Sequence, residues 1–386
     1  MKVCGIVAEY DPFHLGHLYH LQQARLQTNA DYVVCVLSTA FLQRGVPSLF
    51  STQARTQMAL ENGADAVFSL PVHFSCADAE RFSFGSISIL HALGFVSDLM
   101  FGSENDDLEL LQMIADTLEN EPPAYKQFLK EGLRNGSSHA KAQGEALSQY
   151  LQVEQGKLST PNNVLSICYL RALKKLQSPI RPHTLKRLGD YHGRTTQGFL
   201  SASAIRKKLL AEGLSSIKAH LPKESFDIVR SQFEKGMTCN VDALDDALLY
   251  RVRSMDVHSL MRVPQVNEGL ENLLKKASFQ ATTRAQLLAQ IKSKRYTHTR
   301  LSRILAHVLL QTDARTIPSS PLYTRLLGFR KSAQPMLSML KQSAIPVVSK
   351  SASSKELLTD DAWAETLWAQ GAKMPPSFFK QSPIIV

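Results

Sequence analysis

Five short apolar runs alternate with helical patterns over the first half of the chain, and this alternation restricts the fold more than any other feature. The runs are Val3 to Ala8, "DYVVCVLS" at 31–38, "DAVFSL" at 65–70, "SDLMFGSE" at 97–104 and, weakest, "HTLKRL" at 183–188. Each is bounded by turn residues and is too short for a helix, so each reads as a buried strand. Between them, apolar residues recur at helical spacing over Thr52–Asn62, Phe82–Leu93 and Leu108–Leu118. Strands alternating with helices predict βαβ units and a parallel sheet. Right-handed crossovers then bring the loops that follow the strands to one rim.

The expected fold class is therefore α/β: a Rossmann-like parallel sheet of about five strands, followed by a mainly helical C-terminal domain. Residues 1–215 form the catalytic part in this reading, with a helical insertion around 106–177. From about residue 220 only helical periodicity is visible, broken by Pro264, Pro318, Pro321 and Pro335, so 216–386 is assigned to the helical domain. Pro346-Val347-Val348 and the tail "PPSFFKQSPIIV" could add a short strand or wrap back onto the body. A length of 386 residues suits two ordinary domains.

Charge is unevenly spread. From Arg262 to Lys350 there are fifteen Lys and Arg against three acidic residues, within a net charge of +10. Tyr296, His298, Tyr323 and Phe329 are interleaved with them. Such a segment suits nucleic acid, or simply forms a basic solvated surface. The five cysteines are scattered, as expected of reduced core residues. No apolar run approaches the ~20 residues a membrane span needs, and no signal-peptide pattern opens the chain, so the expected location is cytoplasmic.

The first strand runs into "AEYDPFHLGHLYHL", residues 8–21. Asp11-Pro12 marks a turn, and Leu18, Leu21, Ala24 and Leu26 begin a helix near Gly16. His14 and His17 thus fall at a strand-to-helix crossing, where open α/β sheets bind ligands. Helix N-termini favour phosphate, glycine permits close approach, and imidazoles donate to phosphate oxygens as charge builds. The plainer alternative is that one histidine caps the turn and the other lies in the core. A zinc site would need further ligands, and a dinucleotide site a Gly-x-Gly-x-x-Gly turn; neither pattern is present. Later, "FLSASAIRKKLL" opens a helix with Ser201 or Ser203 as cap and Arg206 in its first turn, either a second phosphate cradle or an ordinary capped helix.

The His-x-Gly-His loop and the late "SASAIRK" helix start resemble the nucleotidylyltransferase superfamily. The ordered set "EYDPFHLGHLYHL", "FLQRGVPSLF", "RTQMALENGADAVFSLPV", "FGSE", "PNNVLSICYLRAL", "SASAIRK" and "KRYTHTRLSRIL" is further similar to the tRNA(Met) cytidine acetate ligases. That resemblance implies acetate activation by ATP, release of pyrophosphate, and acetyl transfer to the wobble cytidine of elongator tRNA(Met). It implies ATP contacts along Val7, Ala8, Glu9, Tyr10, Asp11, Pro12, Phe13, His14, Leu15, Gly16, His17, Leu18, Tyr19 and His20, and at Gly102, Asn162 or Asn163, and Arg187. Magnesium would bridge the phosphates without a protein ligand. His14, His17, Arg206 and Ser203 carry the expected catalysis. Arg44, Lys292, Lys294, Arg295, Arg300 and Arg303 are the expected tRNA contacts. This chain has Asp11 and Leu15 where the family pattern has asparagines, and Thr39-Ala40 where it has Gly-Asn. The latter change is expected to narrow the pocket or remove a polar contact to the acid. Two other functions fit parts of the sequence: an adenylyltransferase acting on a small metabolite, and a non-catalytic nucleotide- and RNA-binding protein.

Overall fold

The computed structural model describes residues 1–104, 106–154, 161–186, 199–293 and 295–386. The expected strands are present as β1 (Val3–Ala8), β2 (Tyr32–Ser38), β3 (Ala66–Leu70), β4 (Asp98–Ser103) and β5 (Arg181–Lys186). Neighbouring members of this group pair in parallel, in the order β5-β4-β1-β2-β3. Alternate residues of β1 point to opposite faces, as a strand's two-residue period requires. Cys4 and Ile6 face α1 (Leu15–Thr28), α2 (Thr52–Glu61) and, later in the chain, the helix at Ala202–Glu212. Val3 and Val7 face the opposite side, covered by helices from 79–175.

Those covering helices follow a single turn, α3 (Val72–Ser75), and are α4 (Ala79–Ala92), α5 (Leu108–Asn120), α6 (Pro123–Arg134), α7 (His139–Leu151) and α8 (Pro161–Lys175). The expected helical insertion is thus four helices, α5 to α8. Of these, α8 lies against α4 and β4 through Leu170 and Leu173. The helix at Ala202–Glu212 is α9. It is followed by α10 (Lys223–Glu234), α11 (Asp245–Ser254), α12 (Val257–Met261), α13 (Leu270–Ser278), α14 (Arg284–Ile291) and α15 (His298–Leu310).

The second half is mainly helical, as expected, and it also adds strands to the sheet. Thr324–Phe329 is a strand, β6, antiparallel to β3, so the sheet is mixed and extends past five strands. After the short α16 (Gln334–Leu337), Val347–Val348 (β7) pairs with β6. α17 (Thr359–Gly371) follows, and the tail returns as β8 (Ile384–Ile385), also on β6. The suggestion that 346–348 and the tail supply short strands therefore agrees with the structure. β6 escapes a reading of the sequence because "TRLLGF" has no alternation and its antiparallel partner lies far away in the chain.

The helical layer has its own core. Leu248, Leu274, Leu287, Ile304, Leu305 and Trp368 pack together, and Phe41, Val72 and Cys76 from the sheet rim join them. The rim loop and α15 meet closely at Gly45. Its φ is +73°, and a Cβ there would run into the backbone of Ser302 and Arg303. The Ser302 hydroxyl donates to the Gly45 carbonyl at 2.9 Å.

His307 lies inside this seam, with Nδ1 3.3 Å from the Thr312 hydroxyl. Burial, with His73, Arg303 and Arg81 nearby, pushes its pKa down to about 3. The folded state therefore binds fewer protons than the unfolded one between the unfolded value and that figure. Stability from the neutral ring is complete above about pH 6.5 and is lost as pH falls from there. The melting temperature should drop between pH 7 and pH 5, and His307→Gln should show a flatter drop. An unchanged pH slope in that variant removes His307 as the cause.

Candidate active site

The chain runs from β1 to β2 and β3 on one side, then returns to the other side of β1 for β4 and β5. Strand order reverses between β1 and β4, and the crevice beyond their carboxyl ends is the expected ligand site of an open α/β sheet. The loop after β1 and the end of β4 border it.

His14 is the N-cap of α1, in extended conformation, and His17 is the third helical residue. Nδ1 of His14 accepts from the Gly16 amide at 3.1 Å. Nδ1 of His17 accepts from the His14 amide at 3.3 Å. The two form a reciprocal capping box with imidazoles in both positions. A ring that accepts through Nδ1 carries its proton on Nε2 when neutral. Both rings thus hold an N–H donor on the edge away from the helix backbone. They stack at 3.6 Å between centroids, and His17 also packs on Tyr10 at 4.8 Å. The plainer alternative put one histidine in a cap and the other in the core; both instead belong to the capping box, and it is the capping that orients them. Gly16 has a structural reason as well: a Cβ there would come within 2.9 Å of the His14 ring.

Asp11 is buried, and its carboxylate accepts from the Leu49 and Phe50 amides at 2.9 and 3.0 Å. Arg206 of α9 donates to the Asp11 carbonyl and stands 3.5 Å from its carboxylate. The charge at Asp11 thus gives Arg206 an ionic partner. Ser201 is the cap of α9, accepting from Ala204, while the Ser203 hydroxyl lies 3.1 Å from that of Ser201. Arg206 falls just past the first turn, not in it.

Beneath the loop lies Arg55 of α2, fully buried. Its guanidinium donates to the carbonyls of Glu9, Ser38, Thr39 and Phe50 at 2.6–3.0 Å. Sequence reasoning missed it. The available signal was an arginine among Ala54, Met58 and Ala59 on the buried side of a helix. Glu9 accepts from the Gln43 amide at 2.8 Å. Burial raises its pKa, against that hydrogen bond and the nearby Arg206 and Arg55.

The other expected nucleotide contacts divide. Tyr10 and Phe13 are core residues, Ala8 is buried, and Val7, Leu18 and Tyr19 pack partly buried against the core. These hold the loop from below. His20 faces the Met100 backbone of β4, and burial pushes it down to about 4. Gly102 is the penultimate residue of β4; its carbonyl accepts from the Ser166 hydroxyl at 3.3 Å. Asn163 is buried in the first turn of α8 and accepts from the Glu104 amide at 3.0 Å, tying that helix to the strand end. The Asn162 side chain and Arg187 lie outside the described residues. Thr39 and Ala40 are buried, and Ala40 joins the core of the helical layer. The side chain of Ala40 is thus directed into packing. Among the described residues no group of three His, Cys, Asp or Glu could hold a metal ion.

The basic segment is only partly as expected. Lys292 and Arg295 are exposed, as is Arg44 on the rim loop, and Lys294 lies outside the described residues. Leu301, Ile304 and Leu305 form a buried stripe of α15. Tyr296 precedes α15, and Arg300 sits over its ring at 4.8 Å. Arg300 also donates to the Gln265 carbonyl at 2.9 Å. Arg303 is buried, 8% exposed, and its Nε donates to the Gln265 side chain at 3.3 Å and its Nη1 to the Gln43 carbonyl at 3.5 Å. The sequence pattern puts it on the open face; in the structure it serves the seam, because Gln43 and Gln265 supply the oxygens a buried guanidinium needs.

A family model described as HIGH Nucleotidyl Transferase matches residues 1–379. The tRNA(Met) cytidine acetate ligase of Thermoanaerobacter sp. (strain X514) is 39% identical over 368 residues, covering 93% of this chain and 91% of that one. The enzyme of the same name from Clostridium perfringens (strain ATCC 13124) is 37% identical, covering 96% and 95%. The crystal structure of Thermotoga maritima TmcAL bound with alpha-thio ATP superposes with a TM-score of 0.92 at 31% identity, covering 100% of this chain and 99% of that one. The chain belongs to the HIGH nucleotidyl transferase family, among the tRNA(Met) cytidine acetate ligases.

Proposed function

We propose that this protein activates acetate with ATP and transfers the acetyl group to the N4 amine of the wobble cytidine of elongator tRNA(Met). The observation that carries this reading is the pair of imidazoles at the start of α1, each fixed by its own Nδ1 bond, in the switch-point crevice. In the first step a carboxylate oxygen of acetate attacks the α-phosphorus of ATP. The bond from that phosphorus to the bridging oxygen breaks, and pyrophosphate leaves with added negative charge. His14, His17 and the N-terminal amides of α1 are donors suited to that charge, with Arg206 and the Ser203 end of α9 for the distal phosphates. In the second step the amine attacks the acetyl carbonyl carbon, AMP departs, and the amine gives up one proton. Residues 7–20, Gly102, Asn162, Asn163 and Arg187 remain the proposed nucleotide contacts. Their donor set of N–H groups and guanidinium fits phosphate oxygens. Magnesium, carried by the nucleotide, would screen phosphate charge.

Exposed Arg44, Lys292 and Arg295, with Lys294 and Arg300, are the proposed tRNA contacts; Arg303 acts behind them by holding the rim loop. No helix among the described residues is long and apolar enough to cross a membrane. We place the reaction in the cytoplasm, with tRNA.

ATP and acetate without acetyl-CoA should give pyrophosphate and, with tRNA, N4-acetylcytidine. A requirement for acetyl-CoA, with ATP left uncleaved, overturns the reading. Pyrophosphate release that depends instead on a small phosphorylated acceptor points to a metabolite adenylyltransferase. His17→Ala removes a preorganised donor and should lower acetate-dependent ATP–pyrophosphate exchange by about 10²–10³. Losing its hydrogen bond to the His14 amide should cost only about 1 kcal/mol of stability. A folded variant with wild-type exchange removes His17 from the mechanism.

Replacing Arg44, Lys292 and Arg295 by Ala should weaken tRNA binding. The slope of log affinity against log salt should flatten by about 0.7–0.9 for each phosphate that is no longer neutralised. Unchanged affinity and slope would move the tRNA site off this face.

A further inference from the structure

Two aromatic rings stand out from the helical layer. Tyr250 on α11 is 73% exposed, and Phe279, which ends α13, is 67% exposed. Among the described residues no aromatic side chain is more exposed. An exposed aromatic ring contributes nothing to the core beside it, and these two flank a core that is otherwise complete.

The helices that carry them are locked to one another. Arg253, one turn after Tyr250, donates from Nε to the Ser278 carbonyl at 2.9 Å and from Nη2 to the Ala281 carbonyl at 2.7 Å. Those two carbonyls bracket Phe279. Lys275, one turn before Phe279, donates to the Arg253 and Met255 carbonyls at the end of α11 and lies 5.7 Å from the Phe279 centroid. The helix ends that carry the two rings are therefore fixed relative to one another.

The charge around that surface is one-sided. Between Arg251 and Arg303 the sequence has eleven Lys and Arg against three acidic residues. Lys276 is exposed on α13, and Lys292 and Arg295 are exposed beyond α14. Flat apolar rings set among cations match a ligand with aromatic faces and a polyanionic backbone, which is single-stranded nucleic acid. The core of a protein interface is instead depleted of lysine. The position also fits. α11 packs on α15, and α15 meets the rim loop at Gly45. Tyr250 thus sits on the helix next to the one that touches the loop carrying Arg44, and Phe279 ends a helix packed on α11.

We propose that Tyr250 and Phe279 form a stacking platform for unpaired bases of the tRNA, beside the base that enters the active site. This rests on the tRNA-acetylating function proposed above. The platform holds loop nucleotides by their faces, so it discriminates an open loop from a duplex of equal charge.

The test is the double variant Tyr250→Ala/Phe279→Ala in the full chain, with an elongator tRNA(Met) transcript and its anticodon stem-loop. Base–aromatic stacking is worth ~1–3 kcal/mol per base. Affinity for both RNAs should therefore fall at least about tenfold. The salt slope should stay unchanged, because no cation is removed from the phosphates. Tyr250→Leu/Phe279→Leu, which keeps apolar bulk without a π-face, should fail likewise, while Tyr250→Phe/Phe279→Tyr should bind as wild type. Acetate-dependent ATP–pyrophosphate exchange should be unaffected in all of them. Wild-type affinity in the alanine variant overturns the platform. A flattened salt slope also overturns it, since the rings would then only support the cations. Loss of self-association in sedimentation with unchanged RNA binding overturns it in favour of an interface between two copies. If the wild-type protein exchanges pyrophosphate but binds no tRNA, the acceptor reading fails and the platform with it.

Discussion

The guanidinium of Arg55 holds the rim together. It lies in the protein interior and spends its donors on the backbone carbonyls that end β1 and β2 and on Phe50, which precedes α2. Burial disfavours its charge, and Asp11, Glu365 and Glu9 restore part of that cost. Such a group is strongly destabilising to truncate, at about 3–5 kcal/mol, because its partners are left buried and unpaired. Lysine cannot replace it: a compact ammonium lacks the planar fork that reaches four carbonyls in different directions. The path from Ala8 to His14 is set by this contact and by the amides of Leu49 and Phe50 on Asp11. Histidine geometry at the start of α1 is therefore a consequence of an arginine more than forty positions later.

The same economy explains the phosphate side of the crevice. Arg206 arrives from α9, nearly two hundred residues after the loop it serves, and is fixed there by Asp11. An asparagine at position 11 could accept from backbone amides but would offer Arg206 no ionic partner. A second carboxylate, Glu9, stays close by and is disfavoured as an anion by its burial. The region thus combines oriented N–H donors, one fixed guanidinium and a desolvated acid in a small volume, where electrostatic interactions are stronger than in water.

Much of this was legible in the sequence, for identifiable reasons. The five parallel strands and the helices between them follow from local apolar periodicity. His14 and His17 stand out because they sit where a strand turns into a helix. What remained hidden depends on distant partners. β6 is a strand because β3 offers it an edge. Arg303 is buried because Gln265, in a left-handed turn with φ 68°, brings its side-chain oxygen to the seam and Gln43 brings its carbonyl. Arg55 reads as one more helical residue until the carbonyls of the loops after β1 and β2 are placed around it. The protonated nitrogen of each histidine follows only from bond lengths within the capping box.

Gln43 has contacts on both sides of the rim. Its amide holds the Glu9 carboxylate, and its carbonyl receives Arg303 from α15, whose neighbour Ser302 grips Gly45. A residue bonded in both directions acts as a rigid coupling, and the loop has no slack with which to absorb movement of either neighbour. α15 and the end of β1 are consequently joined through a single residue of the rim loop. A change at Gln43 would therefore be felt in two places at once, at the buried Glu9 beside the strand end and at Arg303 in the helical layer.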